Sequence, residues 1–262
     1  MDYKKIILEK KDNIAKIQMN YKQNLNAIDE EMYKELDDAL NSCDNNDIKV
    51  VIIQGLEKCF SAGGDIQYFY DKIENEGSVG DFDLVKKVHE LSNKMRTFPK
   101  PIIASCSGAV AGAGCNIALS CDLVICADNV KFIQAFINLG LVPDTGGTYL
   151  LPRDIGWHKA MEYLITGKPM SAEEGYNMGM INKVCKVEEL EEVTDELAKK
   201  LSKGPSVAYA NLKKQMYESM FKNYSDFGKV EADTQVSSAH TDDFVEGVKA
   251  FIEKRSPDFK GE

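Results

Sequence analysis

Three short stretches combine residue types at spacings that could do chemistry. FSAGGDI (60–66) and SGAVAGAGCN (107–116) each follow an apolar, strand-like run and are rich in small residues. Small residues let a backbone run close to another object, and amides exposed at a helix start stabilise negative charge. For one such loop alone, tight helix–strand packing explains the composition equally well. The third stretch, AFINLGLVPDTGGT (135–148), holds one acidic side chain, Asp144, between a proline and a Thr-Gly-Gly turn. Asp144 is either a turn-former or helix cap, or a carboxylate placed to meet a ligand. In an apolar setting, lost hydration would raise its pKa toward that of a proton carrier. Gly112-Ala-Gly114 does not continue as a dinucleotide fingerprint, because Ile117 stands where the third glycine belongs.

Other reactive side chains are sparse. Seven cysteines form no C-x-x-C pair, which argues against a disulfide framework or a zinc site. Cys106, Cys115, Cys121 and Cys126 fall in apolar patterns typical of buried, inert thiols. The three histidines are His89, His158 and His240, the last two in charged helical contexts that read as surface. No histidine/carboxylate cluster suits a metal, so none is expected. A net charge of −10 argues against nucleic acid or an anionic membrane as partner, yet leaves room for a small anionic ligand held by local lysines. No apolar run approaches the roughly 20 residues of a membrane helix. The first residues lack signal- or transit-peptide character and the last are no organelle address. Residence in the cytoplasm is the expectation.

The elements that must position these stretches alternate. KIILEKKDNIAKIQMN reads as a hairpin around Lys-Asp-Asn, DEEMYKELDDALNSCDNN as a helix with an acidic start, and IKVVIIQG as a buried strand. DFDLVKKVHELSNKMRTF sets Leu84, Val88, Leu91 and Met95 on one helical stripe. PKPIIASCSG and CDLVICAD read as strands, AGAGCNIALS as a helix, and SAEE (171–174) as a capping box. Several strand–strand–helix steps run to about residue 200, and from SKGPSVAYANLKKQMYE onward the pattern is helical. Gly204-Pro205 marks the boundary, giving a core over 1–203 and a helical region over 204–262. The fold class expected is α/β with a helical C-terminal extension.

FSAGGDI, PKPIIASCSGAVAGAGCNIALSCDLVICAD, LGLVPDTGGTYLLPRDIG and DDFVEGVKAFIEKRSPDFKG, in that order along nearly the whole chain, resemble the crotonase superfamily, the enoyl-CoA hydratase/isomerase fold. The resemblance implies a spiral of strand–strand–helix turns, a C-terminal region that joins trimers or dimers of trimers, and an acyl-CoA thioester as substrate, with no cofactor beyond the coenzyme A of that substrate. It implies that the backbone amides of Gly64 and Ala113 hold the thioester oxygen as it becomes an enolate, a role worth about 3–4 kcal/mol per donor. It implies coenzyme A contacts at Lys22, Ala62, Phe251 and Lys254. The family's N-x-P segment stands here as Asn20-Tyr21-Lys22, without its proline.

The departures narrow the chemistry. Hydratases of the family hold water with two glutamates; this chain has Asn116 and Phe136 at those positions, and neither side chain accepts a proton at neutral pH. Asp144 in L-G-L-x-P-D-x-G-G resembles the aspartate of ring-epoxide isomerases of the phenylacetate pathway and of dienoyl-CoA isomerases, which points at the acyl chain. Phe136 and Val142 could line that pocket. His89 matches the histidine of aroyl-CoA dehalogenases, but Val88 and Phe136 replace two aromatic residues of their pocket, so a structural or pocket-lining role competes. The leading expectation is an isomerase that shifts a double bond from 3-enoyl to 2-enoyl, or rearranges a ring, with Asp144 as acid and base. Hydration, dehalogenation or thioester hydrolysis by Asp144 with His89, decarboxylation assisted by Asn116, and a non-catalytic acyl-CoA-binding relative remain the alternatives.

Overall fold

The computed structural model describes residues 3–56, 58–77 and 83–262. The chain starts with the hairpin of β1 (Ile6–Lys11) and β2 (Ile14–Met19), paired from Ile6 opposite Met19 to Lys11 opposite Ile14. Asp12 and Asn13 take φ of 53° and 64°, the left-handed pair that a two-residue turn between twisted strands requires. Asp29 caps α1 (Glu30–Ser42) by accepting from the Met32 amide, and Glu30 and Glu31 occupy its first turn.

One step then repeats three times. β3 (Val50–Gln54) leads to β4 (Cys59–Ser61) and α2 (Ile66–Glu76). After α3 (Asp83–Thr97), β5 (Ile102–Cys106) leads to β6 (Ala109–Ala111) and α4 (Gly112–Ser120). β7 (Leu123–Ala127) leads to β8 (Lys131–Ile133), a 3-10 turn (Ala135–Leu139) and α5 (Gly147–Ile155). The chain continues through α6 (Trp157–Thr166), β9 (Met170–Ser171), α7 (Ala172–Asn177), β10 (Lys183–Cys185) and α8 (Leu190–Ser202). α9 (Ser206–Met220), α10 (Tyr224–Ala239) and α11 (Asp242–Glu253) complete it.

The first strand of each step enters a six-stranded sheet ordered β1-β2-β3-β5-β7-β10, and the second a four-stranded sheet ordered β4-β6-β8-β9. This is the spiral expected from the sequence: an α/β fold with a helical C-terminal region. The strands VVIIQ, IIASC and LVICA read as continuous apolar runs because the larger sheet is covered on both faces, by α8 on one side and by the main core on the other. All nine residues of α4 are buried, so its sequence needs no polar face. SAEE is the capping box of α7, with Ser171 and Glu174 bonding reciprocally. α10 packs along α3, and α11 against α2 and the 3-10 turn, so the C-terminal helices lie over the spiral that carries the glycine loops. Among the described residues no helix is long and apolar enough to cross a membrane.

Candidate active site

The two glycine loops sit side by side because the short strands that precede them, β4 and β6, are parallel neighbours. Their backbones come close enough that a side chain would not fit between them. A Cβ on Gly63 would lie 3.0 Å from the Ala111 carbonyl oxygen, and one on Gly112 would lie 3.4 Å from Gly63 Cα. Both residues also take positive φ, 94° and 50°. The close-packing reading of these loops is therefore correct, and it is what brings Gly64 next to the start of α4. Buried Asn26 fixes the first loop from behind: its amide donates to the Met19 and Phe60 carbonyls, and its own carbonyl accepts from Ser61 Oγ at 2.7 Å.

Gly64, Ala113 and Asp144 line one cavity of about 360 Å³, a size suited to a small ligand. Ala113 is the second residue of α4, so its N–H belongs to the first turn, where no intrahelical acceptor exists and the helix dipole is positive. The apolar walls come from Tyr68 and Phe69 on α2 and from Leu84, Val85 and Val88 on α3. Behind them Phe244 of α11 makes an edge contact with Phe69, ring centres 6.1 Å apart.

Four other carboxylates reach this cavity, and each is occupied. Asp29 and Asp65 cap α1 and α2. Glu30 pairs with Lys34 and Lys87, and Glu31 with Lys4 and Lys5. Asp144 differs: among the described residues it neither caps a helix nor has a cationic partner. Its Oδ1 accepts from Thr145 Oγ1 at 2.8 Å, and it does not cap α5, whose N-cap residue is Gly146. Its side chain is open to the cavity yet enclosed by protein elsewhere. Burial, with the Glu231 carboxylate second, pushes its carboxyl up to about 7.

Asn116, which the resemblance matches to a family glutamate, faces the Asp144 turn. Its Nδ2 donates to the Asp144 carbonyl at 2.8 Å, and its Oδ1 accepts from Gln134 Nε2 at 2.8 Å. Gly147 must lack a side chain because a Cβ there would lie 2.8 Å from Asn116 Cγ. Phe136 is buried beside Gly112, its Cζ 3.8 Å from where a Cβ would be. Neither belongs to the cavity lining, and Val142 borders a separate shallow depression with Leu141 and Phe259.

His89 is buried on α3 and turned away from the lining. Its Nε2 donates to the Tyr224 carbonyl at 3.0 Å, and its Nδ1 stands 2.7 Å from Glu231 Oε2. With both nitrogens engaged, it offers no free base to a water, which removes the geometric support for the Asp/His hydrolytic reading. Ala62 donates its amide to Leu25 O, Lys22 is exposed before it, and Phe251 and Lys254 are exposed at the end of α11. The structure groups none of these four with the cavity lining. Six of the seven cysteines are buried and all are free; burial raises Cys106, Cys115 and Cys121 far above the usual thiol range. Glu231 and Tyr224, which secure the Asp144 turn from α10, carry no signal in the sequence: SDFGKVEADTQ reads as an ordinary charged helix.

The sequence pattern of the enoyl-CoA hydratase/isomerase family matches residues 9–262, and the chain belongs to that family. It is 34% identical over 262 residues, the full length of both chains, to a trans-2-decenoyl-[acyl-carrier-protein] isomerase of Streptococcus mutans. It is 33% identical over 252 residues, 95% of each chain, to a 1,2-epoxyphenylacetyl-CoA isomerase of Escherichia coli. Among solved structures, an enoyl-CoA hydratase from Mycobacterium avium subsp. paratuberculosis superposes with a TM-score of 0.89 at 26% identity, covering 99% of this chain and all of the other. The protein is thus an enzyme of a family that includes both hydratases and isomerases, and an acyl-CoA thioester fits it as substrate.

Proposed function

We propose that the protein is an isomerase that moves a double bond in an enoyl thioester through an enolate, with Asp144 carrying the proton. The observation that supports this most is the cavity itself: it joins Gly64 and Ala113 to Asp144, a carboxyl that among the described residues neither caps a helix nor pairs with a cation, while Asn116 and Phe136 leave the family's two water-holding acids absent. In the forward direction the Asp144 carboxylate takes the C2 proton of a 3-enoyl thioester. The C2–H electron pair becomes the C1–C2 π bond of the dienolate as the carbonyl π pair moves to oxygen, to which the Gly64 and Ala113 amides donate. Return of the same proton to C4 leaves the double bond at C2–C3. No atom is gained or lost, so one carboxyl suffices. An aspartate titrating about 7 is present in both forms near neutrality, as proton shuttling in both directions requires. An acyl chain filling the apolar walls would expel water and deepen that setting.

The names of the Streptococcus mutans and Escherichia coli relatives describe double-bond and ring-epoxide isomerisation, both compatible with these three groups. They also differ in thioester carrier. Carrier contacts at Lys22, Ala62, Phe251 and Lys254 form part of this reading. Pure protein assayed on 3-enoyl, 2-enoyl, dienoyl and aryl-acetyl-CoA thioesters, and on a decenoyl thioester of acyl carrier protein, is expected to interconvert 2- and 3-enoyl forms. Hydration of the 2-enoyl thioester is expected to run at least about 100-fold slower, the scale of losing a general acid or base. Hydration as fast as isomerisation would overturn the assignment.

A further inference from the structure

Asp144 is followed by a turn with an unusual backbone. Thr145 and Gly146 both take positive φ, 55° and 80°, and Thr145 is fully buried. A buried non-glycine residue in the left-handed region needs surroundings that hold it there. Those surroundings come from α10. Glu231, 2% exposed, accepts the Gly146 amide through Oε1 at 2.8 Å and Oε2 at 3.0 Å. On its other side stands His89 of α3, 4% exposed and tilted against the Tyr224 ring with centres 4.7 Å apart. Because the Tyr224 carbonyl only accepts, His89 Nε2 must be the donor there. His89 Nδ1 then meets Glu231 Oε2 at 2.7 Å, while the same carboxylate holds the Gly146 amide two residues after Asp144.

We propose that Glu231, held by His89 and bound to the Gly146 amide, is a positioning residue that fixes the Asp144 turn and sets when the Asp144 carboxyl ionises. This rests on the isomerase reading only for its kinetic consequence; the coupling of the two carboxyls stands apart from it. The other charges around the unit are neutralised or directed elsewhere. On the same cavity, Asp65 receives the Tyr68 amide and the Asn24 side chain. Asp29, Glu30 and Glu31 at the start of α1 are paired with lysines, Lys87 of α3 among them. Against α10, the Tyr224 phenol bonds Ser92 of α3, and Arg96 lies over Phe221. Glu231 is thus the carboxylate that Asp144 meets without a screening cation between them. Burial raises its carboxyl and His89 lowers it.

The test uses the full chain with ¹³C-labelled aspartate and glutamate carboxyls, the Asp144 resonance being assigned by its loss in Asp144→Asn. In Glu231→Gln the amide still accepts from Gly146 and still reaches His89, but the negative charge is gone. The Asp144 titration midpoint is expected to fall by about one pH unit. His89→Gln removes the imidazole that lowers the Glu231 carboxyl, leaving two buried carboxyls together. The last ionisation step of that pair is expected to rise by about one pH unit. In isomerisation assays the acid limb of kcat against pH should move with the NMR midpoint in each variant, which a merely structural role would not produce. An unchanged Asp144 midpoint in folded Glu231→Gln, or an upper step that stays or falls in His89→Gln, would overturn the proposal. Midpoints that shift as expected while kcat ignores them would instead retain the coupling and refute Asp144 as the base.

Discussion

Asp144→Asn is expected to lower kcat for 3-enoyl thioester isomerisation by roughly 10²–10⁴-fold, the usual consequence of removing a general base. KM should change little, because the amide occupies the same volume at the cavity wall and its oxygen can still accept from Thr145 Oγ1. A loss in kcat at constant KM marks an interaction made mainly in the transition state. The same substitution should alter stability in the opposite direction. The folded Asp144 carboxyl titrates about 7, above its usual 3.8, so the folded state holds a proton that the unfolded chain has released. Below about pH 4 both states are protonated and no difference arises. As pH rises through about 7 the wild type loses the stability that this proton carried, and above that the loss is complete. Asp144→Asn never undergoes this loss. Urea melts at pH 5 and pH 8 should therefore show the variant gaining on the wild type with pH, by at most a few kcal/mol, less whatever the water in the open cavity screens. A variant that isomerises at the wild-type rate would return Asp144 to the role of a turn residue. One equally active but also unchanged in its pH-dependent stability would show that the carboxyl is solvated in the protein.

Much of this arrangement was legible in the sequence, for identifiable reasons. The hairpin, the buried parallel strands and the stripe Val88, Leu91 and Met95 follow from periodicity, and the glycine loops announced close backbone contact through composition alone. The three-residue strands β4, β6 and β8 did not show, because so short a segment carries no period-2 signal. α2 was read only as a helix start after the first glycine loop, without its extent; its IQYFYDKIENE puts aromatic side chains on the cavity rather than building a plain core stripe. Leu84, placed on the same stripe, lines the cavity with Val88. His89 was read against the reacting groups of other family members, whereas its partners Glu231 and Tyr224 lie more than 130 residues away on α10. Asn116 was legible as a missing acid. That it holds the Asp144 carbonyl was not, because a contact between α4 and the turn after the 3-10 segment leaves no local pattern.

That contact network makes Gly146 an exacting position. Gly146→Ala is expected to cost about 2–4 kcal/mol of stability and at least roughly 100-fold in kcat. Two effects combine. The residue sits at φ 80°, where a Cβ alone costs about 1–2 kcal/mol. The new methyl would also overlap the Tyr224 hydroxyl and lie 2.6 Å from its Cζ. Tyr224 is fully buried and bonded to Ser92, so the turn must move instead. Moving it draws the Gly146 amide off Glu231 and displaces Asp144, two residues earlier, within the cavity it shares with Gly64 and Ala113. Gly179→Ala separates the two effects: it has φ 87° but nothing within 4 Å of its Cβ position, so it should lose only about 1 kcal/mol and keep full activity. Thermal melts and kcat for both variants test the argument. Equal losses at the two glycines would mean that backbone strain alone is responsible, and an active Gly146→Ala enzyme would show that the turn does not set the position of the Asp144 carboxyl.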